Sequence, residues 1–125
     1  MKVFENLNYI DDVKYVADLD LPWEKLQHKS IMISGATGLI GSMLIDVIMK
    51  KNLDGLNCTV YALGRSKSRM KARFEYCFEN SLFQFVEYDV NKKLIWNEMN
   101  QVDYVLHFAS NTHPLQYATD SIGTI

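Results

Sequence analysis

Cysteine is scarce in this chain, with two residues among 125. Cys58 lies in the strand-like stretch CTVYAL and Cys77 in a helical pattern, so both read as small buried hydrophobes in a reducing cytosol. Nothing in the sequence supports a disulfide between them. Proline is equally scarce, and Pro22 and Pro114 each stand where a helix would open. An excess of positive charge is also missing: the formal net charge is -2, which gives no basic field for nucleic acid. The stripe Lys67, Arg69, Lys71, Arg73 is too short to change that and reads as a solvated helix face. No apolar run approaches membrane-spanning length. The N-terminus, MKVFENLNYIDDVK, has early acids and no apolar core of signal-peptide length. The expected setting is therefore the cytoplasm, away from membranes and nucleic acid.

What is present is material for a core. Hydrophobic residues make up 48% of the chain and charge is mixed rather than blocked, as in a globular protein of one domain at most. Residues 8 to 19, NYIDDVKYVADL, place Tyr9 or Ile10, Val13, and Val16 or Ala17 on one side of a helix, with Asp11 and Asp12 in its first turn. In DLDLPWEKL, Pro22 is expected at the first position of a short helix, with Trp23 and Leu26 on a common surface. This segment, 1–28, reads as an N-terminal helical cap.

From Lys29 onward the elements alternate. Ser30 to Ser34 reads as a buried strand. Leu39, Ile40, Met43, Leu44, Val47 and Ile48 recur with helical period as far as Lys50 and Lys51. Cys58 to Leu63 reads as a second strand, Ser66 to Phe78 as a helix burying Met70, Phe74 and Cys77 or Phe78, and Phe83 to Tyr88 as a third strand. A short helix or loop around Trp96 precedes a fourth strand, Val102 to Ala109, and Pro114 opens another helix. Strands alternating with helices predict an α/β fold of Rossmann type, a doubly wound parallel sheet with helices on both faces. Strand order 3-2-1-4 would put the end of strand one beside the point where the winding reverses, which is where such sheets bind ligands.

Residues 34 to 42, SGATGLIGS, fall at that point. A dinucleotide needs a tight turn off strand one, main chain close to its pyrophosphate, and free N–H groups at a helix start. Gly35, Gly38 and Gly41 are placed to meet those three needs, with Gly41 letting the helix approach the strand. No lysine follows as a triphosphate-binding loop would require.

Gly35-Ala36-Thr37-Gly38-Leu39-Ile40-Gly41 resembles the cofactor loop of the extended short-chain dehydrogenase/reductase superfamily, in its NAD-dependent epimerase/dehydratase group acting on sugar nucleotides. YDV at 88 to 90 resembles the family's acidic position after strand three, which implies Asp89 against adenine and Val90 packed beside it. HFASNTHPLQY at 107 to 117 resembles its strand-four segment, which implies Phe108, Ala109 and Ser110 on the nicotinamide side and Thr112 or His113 near substrate. The spacing from His107 to Pro114 and Tyr117 is similar to UDP-glucuronate decarboxylases and nearly as similar to dTDP-glucose 4,6-dehydratases. The match covers 29–125, a partial dinucleotide-binding domain. It implies a nucleotide-sugar substrate, transient hydride transfer to the nicotinamide, and a homodimer at full length. The other reading is a non-catalytic NAD(P)-sensing module.

The chain departs from the family in two places. At the end of strand two, where an NAD reader would hold Asp or Glu against the ribose hydroxyls, it has Gly64-Arg65-Ser66. Arg65 there would pair with the 2′-phosphate of NADP, stack on adenine, or stand exposed at the start of a basic helix. NAD is expected over NADP, because the resembled enzymes return their hydride each cycle. The family's Tyr-x-x-x-Lys pair has one match, Tyr88 with Lys92, but EYDVNK ends a strand in a turn and that spacing joins side chains only on a helix. No catalytic residue is therefore assigned. The acid/base groups are expected beyond Ile125, in a longer enzyme of which this chain would be an inactive fragment. His28, His107 and His113 have no Cys, Asp or Glu at ligand spacing, so no metal site is expected.

Overall fold

The computed structural model describes residues 6–89 and 101–108. Helix α1 spans Leu7–Ala17. The Asn6 side chain accepts from the Asn8 and Tyr9 N–H groups at 3.0 and 3.2 Å, which starts the helix earlier than the acids alone suggest. Asp11 and Asp12 consequently lie in the second turn, exposed, and the first turn holds no acid. Val13 and Ala17 are buried against Val47, with Tyr9, Val16 and Trp23 around them. Pro22 is the residue before the 3₁₀ turn Trp23–Lys25, not its first member. Trp23 joins this cluster to the main core, against which Leu26 also packs.

Strand β1 is Ser30–Ser34, buried throughout, with the expected bounds. Helix α2 runs Leu39–Leu53. Its buried residues include Ile45, Val47, Ile48 and Met49, whereas Leu39 and Ile40, expected on the apolar stripe, are 87% and 67% exposed at its opening. Asn52 fixes its far end, donating to the Cys58 carbonyl at 2.9 Å and accepting from the Cys58 N–H at 2.8 Å. Strand β2 follows as Thr59–Gly64, then helix α3, Lys67–Arg73. The helix expected to Phe78 stops at Arg73. The chain continues in turns that still bury Phe74 and Cys77. Arg73 also departs from the solvated stripe: it is drawn inward to an ion pair with Asp46, while Lys67, Arg69 and Lys71 are exposed.

Strands β3 (Phe83–Glu87) and β4 (Tyr104–His107) complete a parallel sheet in the order β3-β2-β1-β4. The registers Ile31↔Val60, Val60↔Phe83 and Ile33↔Leu106 set Ile31, Ile33, Val60, Ala62, Phe83, Phe85 and Leu106 on one face. Against this face pack Ile45, Ile48 and Met49 of α2 and Met70 of α3, with Phe74 just after it. Met32, Tyr61 and Leu63 form a second cluster on the opposite face with Val86, Tyr88 and Val102. The described sheet helices share the first face. The helices expected around Trp96 and after Pro114 lie outside the described residues.

Candidate cofactor site

The C-terminal ends of all four strands meet along one edge of the sheet, since Ser34 pairs with His107 and Gly64 with Glu87 in parallel register. From that edge emerge the glycine loop, Arg65-Ser66, Asp89 and Phe108. Gly35 leaves β1 at φ 68, a left-handed conformation that suits glycine. Its carbonyl accepts from the Gly38 N–H at 3.0 Å and closes a tight turn. Gly38 then caps α2 with no side-chain hydrogen bond, so no capping side chain occupies the helix start, where Leu39 and Ile40 are exposed.

The remaining glycines separate by what a side chain would meet. A Cβ on Gly41 would collide with the Gly35 carbonyl oxygen and lie 3.1 Å from its carbon, so α2 packs directly on the loop. On Gly38 a Cβ would stand 3.2 Å from the same oxygen, a tighter contact than a side chain usually makes but short of a collision. Gly41 is thus required by the fold, and Gly38 leaves space on the outer side of the turn. A tight turn of main chain leading into a helix start with no side-chain cap is the arrangement that a pyrophosphate needs. Ala36 is fully buried in the core cluster, so its side chain serves packing and only its backbone borders the site; Thr37 is exposed.

Around the cradle, Arg65 is exposed where β2 ends, one residue beyond Gly64. Gly64 sits close under α3, where a Cβ would come within 2.8 Å of the Met70 methyl. Ser66 supports the local fold, since its hydroxyl accepts from the Arg69 N–H at 3.2 Å and caps α3. Asp89 is half-buried just past β3. Phe108 is 37% exposed, and its N–H donates to the Ser34 carbonyl at 3.2 Å. Val90, Ala109, Ser110, Thr112 and His113 lie outside the described residues, as does Lys92.

Two features escape a reading of the sequence alone. Ser34 Oγ and His107 Nδ1 stand 2.6 Å apart across the ends of β1 and β4, beside the point where the winding reverses. Asp46, in the middle of the apolar run MLIDVIM, gathers Tyr9, Arg73 and Tyr76. A carboxylate inside such a run is the one signal of it in the sequence. Burial pushes the thiols of Cys58 and Cys77 up to about 11 and about 12, which makes neither a nucleophile. Among the described residues no three His, Cys, Asp or Glu side chains gather as a metal site, and no helix is long and apolar enough to cross a membrane.

The sequence matches the model of the NAD dependent epimerase/dehydratase family over residues 31–125. The chain belongs to the NAD-dependent epimerase/dehydratase family. The match begins at the second residue of β1 and includes the glycine loop, Arg65, Asp89 and Phe108, so it covers every part of the cradle and leaves α1 outside it. A search of curated proteins returned no match. Membership makes an NAD(P) nucleotide the family's cofactor, and the parallel sheet is the Rossmann-like frame for it.

Proposed function

We propose that this chain is the NAD(P)-binding portion of a nucleotide-sugar epimerase, dehydratase or decarboxylase. The observation that carries the reading is the start of α2, which Gly38 caps without a side chain, behind the Gly35–Gly38 turn and at the strand edge from which Arg65, Asp89 and Phe108 also rise. In this reading Gly35, Ala36, Thr37 and Gly38 offer backbone to the pyrophosphate, and the N–H groups of Leu39, Ile40 and Gly41 face its charge. Arg65 lies by the adenosine ribose with Ser66 holding the start of α3, Asp89 by adenine with Val90 beside it, and Phe108, Ala109 and Ser110 by the nicotinamide. Thr112 and His113 border the sugar. NAD is the cofactor proposed, with Arg65 stacked over adenine.

The nicotinamide supplies a reversible acceptor for a hydride from the sugar. The described residues bind and orient it, and the acid/base groups are not among them. The test uses the full-length protein and a panel of nucleoside-diphosphate sugars carrying deuterium on the carbon to be oxidised. A transient rise of reduced-nicotinamide fluorescence, with deuterium retained in the product, is the expected result. Firm NAD binding without any such transient across the panel would instead assign the chain to dinucleotide sensing.

A further inference from the structure

Asp46 is 2% exposed, and its carboxylate is filled by three donors from three segments. Oδ2 accepts from the Tyr9 hydroxyl of α1 and from Arg73 Nη2 of α3 at 2.5 Å. Oδ1 accepts from the Tyr76 hydroxyl at 2.5 Å and Arg73 Nη1 at 3.3 Å. Arg73 Nη2 also donates to the Tyr9 oxygen at 3.1 Å, so Tyr9 and Arg73 are joined directly as well as through Asp46. Burial raises the Tyr9 hydroxyl to about 12, reinforced by Asp46, and raises Tyr76 further for the same reasons. Both therefore stay protonated donors at ordinary pH. Burial works against the Arg73 cation, but the hydrogen bond and charge of Asp46 outweigh it and hold it charged.

The placement of this hub matters more than its strength. Asp46 lies eight positions after Gly38, about 12 Å along α2 from the cradle. Arg73 closes α3, which Ser66 caps and Arg65 precedes. Each helix thus presents its N-terminus to the cofactor edge, and the same carboxylate ties their bodies together. Tyr9 brings α1, which precedes the family match, onto that tie. We propose that α1 is a brace for the dinucleotide site, Tyr9 acting through Asp46 to fix the spacing between the α2 pyrophosphate cradle and the Arg65-Ser66 corner. Tyr9, Asp46, Arg73 and Tyr76 are positioning residues here, and the proposal rests on the cofactor reading above.

The experiment compares NAD affinity and amide exchange of residues 7–17 in the full-length protein and in Tyr9→Phe, which keeps the ring against α2 and deletes only the hydroxyl. Coupling between sites is commonly about fivefold or more, so Tyr9→Phe should weaken NAD by about that factor. Reciprocity requires NAD to slow exchange in α1 of the unmodified protein and to lose that effect in the variant. Cys58→Ala, at the opposite end of β2, should lower thermal stability and leave NAD affinity unchanged. Equal affinity of Tyr9→Phe and the unmodified protein overturns the brace alone, as does an equal loss in Cys58→Ala, which would mark general destabilisation. No NAD binding by the unmodified protein overturns the cofactor reading, and the brace with it.

Discussion

At the residue scale, the three loop glycines play different parts, and substitution should separate them. Gly41→Ala drives a methyl into the Gly35 carbonyl, a backbone contact that no rotamer relieves. Overpacking of this kind typically costs about 1–3 kcal/mol, so urea denaturation should show a loss in that range. Unchanged stability would mean that α2 does not pack on the loop as described. Arg65 is exposed, and its proposed role is in holding the cofactor. As a stacking group it should yield similar losses of NAD and NADP in Arg65→Ala. A charge-assisted phosphate contact is typically worth about 1.5–3 kcal/mol, so a selective loss of NADP by roughly tenfold or more would overturn the preference for NAD. The glycine spacing is legible in the sequence because it reports local backbone needs. Asp46 is not, because a sequence gives no distance between helices, and its three partners come from positions 9, 73 and 76.

The elements show the same division. The bounds of β1 and the start of α2 follow from an apolar run meeting glycines, and both hold in the structure. Where a tertiary contact decides, the sequence pattern runs on: α3 ends at Arg73, where Asp46 engages the side chain, although apolar spacing continues to Phe78. Likewise Asn6 sets the start of α1 ahead of the acids. The tie between α2, α3 and α1 has a stability consequence. Arg73→Ala would leave the buried Asp46 carboxylate without its cation, a change that typically costs about 3–5 kcal/mol. Denaturation midpoints should fall accordingly. A loss below about 1 kcal/mol, the scale of an exposed ion pair, would contradict the burial of this contact.

The whole molecule should lose stability in alkali. Tyr9, Cys58 and Cys77 have pKa values raised on folding, from 10.0 to about 12, 9.0 to about 11 and 9.0 to about 12, all chiefly by burial. Below about pH 9 these groups are protonated in both states and their contribution is complete. Above it the unfolded chain ionises first, so stability falls as pH rises from about 9 towards 12. Denaturation curves over that window should show the fall, and Cys58→Ala should make it shallower. A flat profile would contradict the burial of these groups.

At this scale too, the strand order β3-β2-β1-β4 places the glycine loop beside the reversal of winding, and the family match spans the whole of that edge. The central claim is that the edge holds a dinucleotide against the backbone of the Gly35–Gly38 turn. Calorimetric titration of NAD into the full-length protein and into Gly38→Val tests it most directly. A Cβ there would stand 3.2 Å from the Gly35 carbonyl oxygen, so circular dichroism of the variant accompanies the titration to show that it is folded. Its branched side chain should stand where the pyrophosphate approaches and weaken NAD by about tenfold or more, a loss of at least about 1.4 kcal/mol. Equal affinity in the two folded proteins would contradict the claim and reduce the loop to a turn.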